Sequence, residues 1–310
     1  MTRSARVRAY AKLNLGLRVL YKRPDGYHEL RTVFQTISLA DDLEIAWSPA
    51  RTTSVVIEGA PGIVDNLAER AARLVLDAAG KHGVVRIKLC KNIPLGAGLG
   101  GGSSDAAAVL LALPVLAGAR LPMERLAPIA ATLGSDVPFF LHGGTALGLG
   151  RGEELYPLPE ASATRAVLVV PNIHSSTADA YRDLSKTLTT AELQNKLDSF
   201  QRWTWGINKS SIINDFEDVV VARAPELAGI RERLRRSGAS RVAMTGSGSA
   251  MFGIFDDPAR LERARRAFPN ERVFAVSFIS RSRYQGAWRR ALKQYLKGND
   301  TWPPQNPHAR

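Results

Sequence analysis

Five glycines fall within seven positions of the run Pro94, Leu95, Gly96, Ala97, Gly98, Leu99, Gly100, Gly101, Gly102, Ser103, Ser104. Glycine admits positive φ and lets a backbone come close to a ligand, so successive amides can turn toward one anion. A strand-like run precedes the loop. A small-residue helix opens after it near Ser103, adding orphan N–H groups and the positive end of a helix dipole. Ser103 and Ser104 offer hydroxyls to a phosphate or to a phosphate-bound Mg²⁺. The chemistry is that of a phosphate cradle. It is not a Walker loop, which ends in Gly-Lys-Ser/Thr, because Gly102 is followed by Ser103, Ser104 and Asp105. Nor is it a dinucleotide fingerprint, because the run at 109–121 is helical and apolar and brings no acid to a strand end. A loop with no ligand is disfavoured, since ordering five glycines between regular elements costs conformational entropy.

The elements around the loop follow from periodicity. Ala5, Val7, Ala9, Ala11, Leu13, Leu15, Leu17 and Val19 alternate with Arg6, Arg8, Tyr10, Lys12, Asn14 and Arg18, which predicts a long half-buried strand, bent or broken midway. Lys12 and Asn14 then point the same way, off the core face. Asp25-Gly26 marks a hairpin turn between Arg23 and His28. Strands are predicted at 30–39, 42–47 and 53–58. A helix capped by Asp65 buries Leu67, Ala71, Leu74, Val75 and Ala78 and ends at Gly80. Val85, Ile87 and Leu89 mark the strand before the loop. A helix at 122–133 is followed by Gly134-Ser135-Asp136, where Asp136 stands as an N-cap for a short helix through Leu141.

The second half reads as a strand at Ala166–Val170, a short helix capped by Ser176 or Thr177 and carrying Tyr181, and helices at 189–199 and 225–237. Strand, loop, strand, helix and strand follow from Arg241 to residue 279, which suggests an α+β sandwich. The boundary between the halves falls near 155–163.

With 310 residues and a 45% hydrophobic fraction, the chain can bury one large core or two ordinary ones. Cys90 is the single cysteine and reads as a buried, inert thiol, so no internal disulfide forms and a reducing, cytoplasmic setting is expected. No apolar run follows Met1–Arg6, so no secretory leader is expected, and the apolar stretch at 106–119 is too short for a bilayer. The net charge of +13 invites a nucleic-acid partner, but residues 281–310 hold seven basic side chains against Asp300 alone. The remaining body is only mildly basic.

Pro94 to Ser104 fits the pattern Pro-x-x-x-Gly-Leu-Gly-Ser/Gly-Ser-Ser, with Lys12-Leu-Asn14-Leu-Gly upstream and Thr245-Gly-Ser-Gly-Ser249 downstream. Through these three motifs, in this order, the chain resembles the GHMP kinase superfamily across roughly residues 8–280. The resemblance implies two domains with the active site in the cleft between them: an N-terminal α/β domain over 1–160 and a C-terminal α+β sandwich over 161–280, followed by a basic, flexible tail at 281–310. It implies ATP, held by the eleven residues of the loop and approached by Asn66 of the stretch Asp65-Asn66-Leu67. It implies Asp136 as general base for a substrate alcohol. Lys12 would be its partner, favouring the charged carboxylate and steadying the transferring phosphoryl group. Mg²⁺ is expected with the nucleotide. Its protein ligand is not evident, and Ser104 is the one candidate.

Ala11-Lys-Leu-Asn-Leu15, Arg23-Pro-Asp-Gly-Tyr-His-Glu-Leu30 and Leu133-Gly-Ser-Asp-Val-Pro-Phe139 narrow the resemblance. They point to the branch that phosphorylates the 2-hydroxyl of a cytidine diphosphate-linked methylerythritol in the non-mevalonate route to isoprenoid precursors. Tyr27, His28 and Tyr181 would then clamp the cytosine by stacking and edge hydrogen bonds, with Asn14 and Thr177 near the substrate. Thr245 to Ser249 would shape the floor of the site. The implied partners are small molecules rather than a membrane, and the chain a monomer or weak homodimer. Two alternatives stand beside this one. One is another kinase of the superfamily, of homoserine or mevalonate type, against which the Tyr27-His28 loop speaks. The other is a basic nucleic-acid-binding protein acting through the 281–310 tail.

Overall fold

The computed structural model describes residues 1–60, 62–160, 164–173, 175–188, 190–204 and 212–296. Two long antiparallel strands, β1 (Arg3–Lys22) and β2 (His28–Pro49), open the chain and are joined by the expected turn, with Gly26 at φ +85°. The sequence predicts a break near residue 40, yet β2 runs through it. Its first half pairs with β5 and its second half with β4, and Asp41 at the junction is fully hydrogen-bonded. Continuous pairing and a satisfied carboxylate remove the reason to turn.

The first half continues with β3 (Ser54–Glu58), α1 (Leu67–Ala78), β4 (Gly83–Cys90), α2 (Gly101–Leu116), α3 (Met123–Leu133), α4 (Val137–His142), β5 (Thr145–Leu149) and β6 (Glu154–Pro157). The sheet order is β3-β4-β2-β5-β6, with β1 along β2. The cap of α1 is Asn66, whose Oδ1 accepts the amide of Ala68 at 2.9 Å, rather than Asp65, which takes φ +52° just before it. Helix α2 is buried on every side from Ser104 to Leu116, as suits a central helix apolar all round.

The second half holds β7 (Arg165–Val170), α5 (Thr177–Thr187), α6 (Thr190–Thr204), α7 (Phe216–Arg223), α8 (Glu226–Arg236), β8 (Arg241–Met244), β9 (Met251–Phe255), α9 (Pro258–Arg266) and β10 (Arg272–Ser277). Its antiparallel sheet is ordered β10-β7-β9-β8. Helix α7 has no counterpart in the sequence reading. Strand β1 serves three cores in turn. Ala5, Val7 and Ala9 join the first half; Ala11 and Leu13 pack with the glycine loop and the second sheet; Leu17 and Val19 join the second half's helices. Its register shifts between Tyr10 and Lys12 and between Asn14 and Gly16, at these changes of partner.

Two expectations are corrected. Residues 281–296 are not a flexible tail. α10 (Arg281–Leu292) packs onto the first half, burying Tyr284, Trp288 and Leu292 along one face, and the Tyr284 hydroxyl donates to the carbonyl of Phe140. The guanidinium of Arg281 donates to the carbonyl of Thr145 at 2.6 Å. The four-residue spacing of these large side chains outweighs the basic composition. Residues 297–310 lie outside the described part. Cys90 is exposed rather than buried: β4 alternates, and with Val85, Ile87 and Leu89 inside, residue 90 faces out. Among the described residues, no helix is long and apolar enough to cross a membrane.

Candidate active site

The three motifs converge on one cleft of about 780 Å³ between the two sheets. The glycine loop forms one wall, with Gly96, Gly98 and Gly100 at φ +65°, +76° and +71°. Left-handed residues at every second position curve the backbone so that its amides turn to one side. The absence of side chains also lets the motifs touch. A Cβ on Gly98 would lie 2.2 Å from the carbonyl oxygen of Thr245, one on Gly100 3.2 Å from Cγ of Lys12, and one on Gly246 3.3 Å from Nζ of Lys12. The amide of Lys12 donates to Leu99 O at 3.0 Å.

Lys12 and Asn14 do face away from Ala11 and Leu13, but that side is buried, and Lys12 is only 3% exposed. Nζ of Lys12 donates to Asn14 Oδ1 at 2.6 Å and lies 3.5 Å from Asp136 Oδ2. Nδ2 of Asn14 donates to Thr32 Oγ1 at 2.8 Å, and Thr32 donates onward to Gly16 O at 2.8 Å. Asn14 therefore lines the cleft with both ends of its amide engaged, and it orients the lysine.

Asp136 occupies the N-cap position of α4 without capping it. The amide of Val137 already donates to Gly134 O, and Pro138 has none to offer. Its carboxylate is left to the cleft and is the only one among the described residues that line it.

Another wall of the cleft is aromatic. His28 stacks on Tyr181 with ring centres 4.8 Å apart, and Tyr181 meets Phe216 edge-on at 4.7 Å. Burial, and then the charge of Asp136, raise the pKa of the Tyr181 hydroxyl, which stays protonated. Burial, and then Lys22, lower the pKa of His28, favouring the neutral ring. The Ser185 hydroxyl gives its one proton to Tyr181 O at 2.7 Å, so His28 Nε2, 2.8 Å from Ser185 Oγ, is the donor of that pair. Nδ1 is then left as an acceptor. Tyr27 is half exposed beneath the guanidinium of Arg151, 4.6 Å from its ring centre.

Other positions differ from expectation. Ser104 is buried and its hydroxyl donates to Tyr10 O at 2.7 Å, so it is turned away from the cleft, while Ser103 lines it. Asn66 serves as a cap, and its neighbour Leu67 lines the cleft instead. Thr177 leaves the capping of α5 to Ser176 and shares a 2.8 Å hydrogen bond with Ser247 Oγ across the cleft. Arg151 escaped the sequence reading. Its one signal is the tight Gly150-Arg151-Gly152 turn, with Glu153 gripping the guanidinium at 3.0 Å.

Sequence profiles for the GHMP kinases N terminal domain and the GHMP kinases C terminal region match residues 66–144 and 198–273. The chain belongs to the GHMP kinase family. Within it the chain groups with proteins named 4-diphosphocytidyl-2-C-methyl-D-erythritol kinase. That of Solibacter usitatus is 54% identical over 98% of both chains; that of Geobacillus sp. is 38% identical over 88% of this chain and 96% of its own. A crystal structure of 4-(cytidine 5'-diphospho)-2C-methyl-D-erythritol kinase superposes with a TM-score of 0.71 at 40% identity, covering 90% of this chain and 99% of that one. Homoserine kinase from Cytophaga hutchinsonii superposes as well, with a TM-score of 0.72 at 19% identity over 90% of this chain and 95% of its own. The fold is thus common to GHMP kinases of different substrates. The chain is an ATP-dependent small-molecule kinase, and the nucleic-acid alternative is not favoured.

Proposed function

We propose that this kinase transfers the γ-phosphoryl group of ATP to the 2-hydroxyl of 4-diphosphocytidyl-2-C-methyl-D-erythritol, in the cytoplasm and as a monomer or weak homodimer. The observation that carries the reading is one of connection within the cleft. Lys12 is tied to the glycine loop by its amide bond to Leu99 O and lies 3.5 Å from Asp136, whose charge in turn reaches Tyr181 of the aromatic wall.

Each part has a task on this reading. The loop from Pro94 to Ser103 receives the phosphates on its backbone amides and on the first turn of α2. Asp136 accepts the proton of the attacking hydroxyl, and Lys12 balances charge on the group in flight. Tyr27 and Tyr181 pack against the cytosine. Nδ1 of His28, an acceptor, suits the exocyclic amine of cytosine and opposes the carbonyl that uracil carries there. Among the described residues no three His, Cys, Asp or Glu side chains gather as a metal site. A Mg²⁺ bound with the nucleotide would be held by the phosphates and by water. When bound, that ion supplies charge neutralisation on the phosphate oxygens.

The test is ADP release and product phosphorylation from ATP with the cytidyl substrate, homoserine and mevalonate in parallel. Turnover with the cytidyl substrate alone is expected. Turnover with homoserine or mevalonate instead would reject the substrate.

A further inference from the structure

The glycine loop carries no charged side chain, yet a buried ion cluster stands directly behind it. Asp41 of β2 is fully buried and uses both oxygens. Oδ1 accepts the amides of Asn92 at 2.6 Å and Ile93 at 2.8 Å, the residues that lead from β4 into Pro94. Oδ2 accepts Nζ of Lys91. The same ammonium donates to Oδ2 of Asp105 at 2.7 Å, in the opening turns of α2 just beyond the loop. One lysine thus ties the segment before the loop to the helix after it. It also underlies the loop: a Cβ on Gly101, the first residue of α2, would lie 3.3 Å from Nζ.

Stability alone does not account for such a cluster. Two carboxylates share one cation out of water, and Oδ1 of Asp105 is buried with no hydrogen-bond partner. Burial, assisted by the charge of Asp41 and opposed by Lys91, pushes the Asp105 carboxyl up to about 7. Apolar side chains in place of buried ions are often neutral or stabilising. What ions supply here, and apolar groups would not, is a directional tie between two backbone segments.

We propose that Asp41, Lys91 and Asp105 are positioning residues for the phosphate-binding loop, holding its start and the helix behind it at the separation in which the loop amides receive the nucleotide. The inference rests on the reading of that loop as the ATP site. A loop of glycines ordered only on binding would lose affinity to that ordering, and a preformed one does not. The cluster touches none of the residues of the aromatic wall, so its loss should be felt by ATP and not by the cytidyl substrate.

The test compares wild type with Asp105→Asn, which is nearly isosteric, and Lys91→Met. ATP binding is followed by calorimetry, and steady-state kinetics are run with each substrate varied. KM and Kd for ATP are expected to rise about tenfold, with KM for the cytidyl substrate within about twofold. A lower Tm with ATP affinity unchanged in Asp105→Asn overturns the proposal, whether or not Lys91→Met folds. Failure of the wild type to bind ATP at all would overturn instead the reading of the loop, so the two failures are distinct.

Discussion

Lys12 Nζ lies 3.5 Å from Oδ2 of Asp136, and the helix that begins at Asp136 makes no use of that carboxylate. On the proposed function, this side chain, freed from capping and set beside a buried cation, accepts the substrate's proton. Asp136→Ala should lower kcat by about 10²–10⁴-fold, the usual worth of a general base, while the Kd for ATP changes little. Lys12→Met should also lower kcat steeply. Retention of wild-type kcat in Asp136→Ala would remove it from that role.

Gly98 is the tightest point of the loop. Alanine there would place its Cβ against the carbonyl of Thr245 while the backbone holds φ +76°. The left-handed conformation alone costs an L-residue about 1–2 kcal/mol, and the clash adds to it. Gly98→Ala should lower Tm and raise KM for ATP together. Alanine at Gly26, also left-handed but with nothing within 4 Å, should cost only the conformational part and leave ATP affinity alone.

The aromatic wall predicts a split in the other direction. Tyr27 is half exposed and contributes little to the core, so Tyr27→Ala should leave Tm nearly unchanged. Stacking on a base is worth about 1–3 kcal/mol, so KM for the cytidyl substrate should rise roughly 5- to 150-fold with KM for ATP unaffected. A uridine-linked analogue should be a poorer substrate by a similar factor, and His28→Ala should erase that preference. Equal use of both analogues by the wild type would remove His28 from base recognition.

His142 carries the expected pH dependence. Burial, and then the charge of Arg281, depress its pKa from 6.5 to about 4. The unfolded chain therefore binds this proton first as pH falls. Stability from this site is intact above about pH 6.5 and is lost as pH drops toward 4, by on the order of 3 kcal/mol. Denaturant titrations at pH 7.5 and pH 5 should show a smaller loss for His142→Gln than for wild type. An identical loss would locate the acid sensitivity elsewhere.

Trp288 tests the last helix. It is 2% exposed against the first core, and Trp288→Ala should destabilise the protein by about 3–5 kcal/mol. Arg289→Ala, on the exposed side of the same helix, should change stability by less than about 0.5 kcal/mol.

Local chemistry made much of this legible. Five close-set glycines announce a phosphate cradle, alternation announces β1, and Asp25-Gly26 announces its turn, because each signal sits in a few contiguous residues. Other features depend on what packs where. Alternation assigned Lys12 and Asn14 to one side of a strand, but only the second sheet, brought in from residues 165–277, turns that side into a closed cleft. Ser104 reads as a hydroxyl beside a phosphate loop until the helix rotates it onto Tyr10 O. The arginines of 281–290 mask the four-residue spacing of Tyr284, Trp288 and Leu292, which packing against α4 and β1 reveals. Asp41, Lys91 and Asp105 are far apart in the chain and become a cluster only where β2, β4 and α2 meet. The sequence by itself determined the kind of reaction, since glycine and charge in short motifs are enough to hold a phosphate. The tertiary structure decided which side chains are free to act, since a carboxylate, hydroxyl or amide has few hydrogen bonds to give, and only the fold says where they are spent.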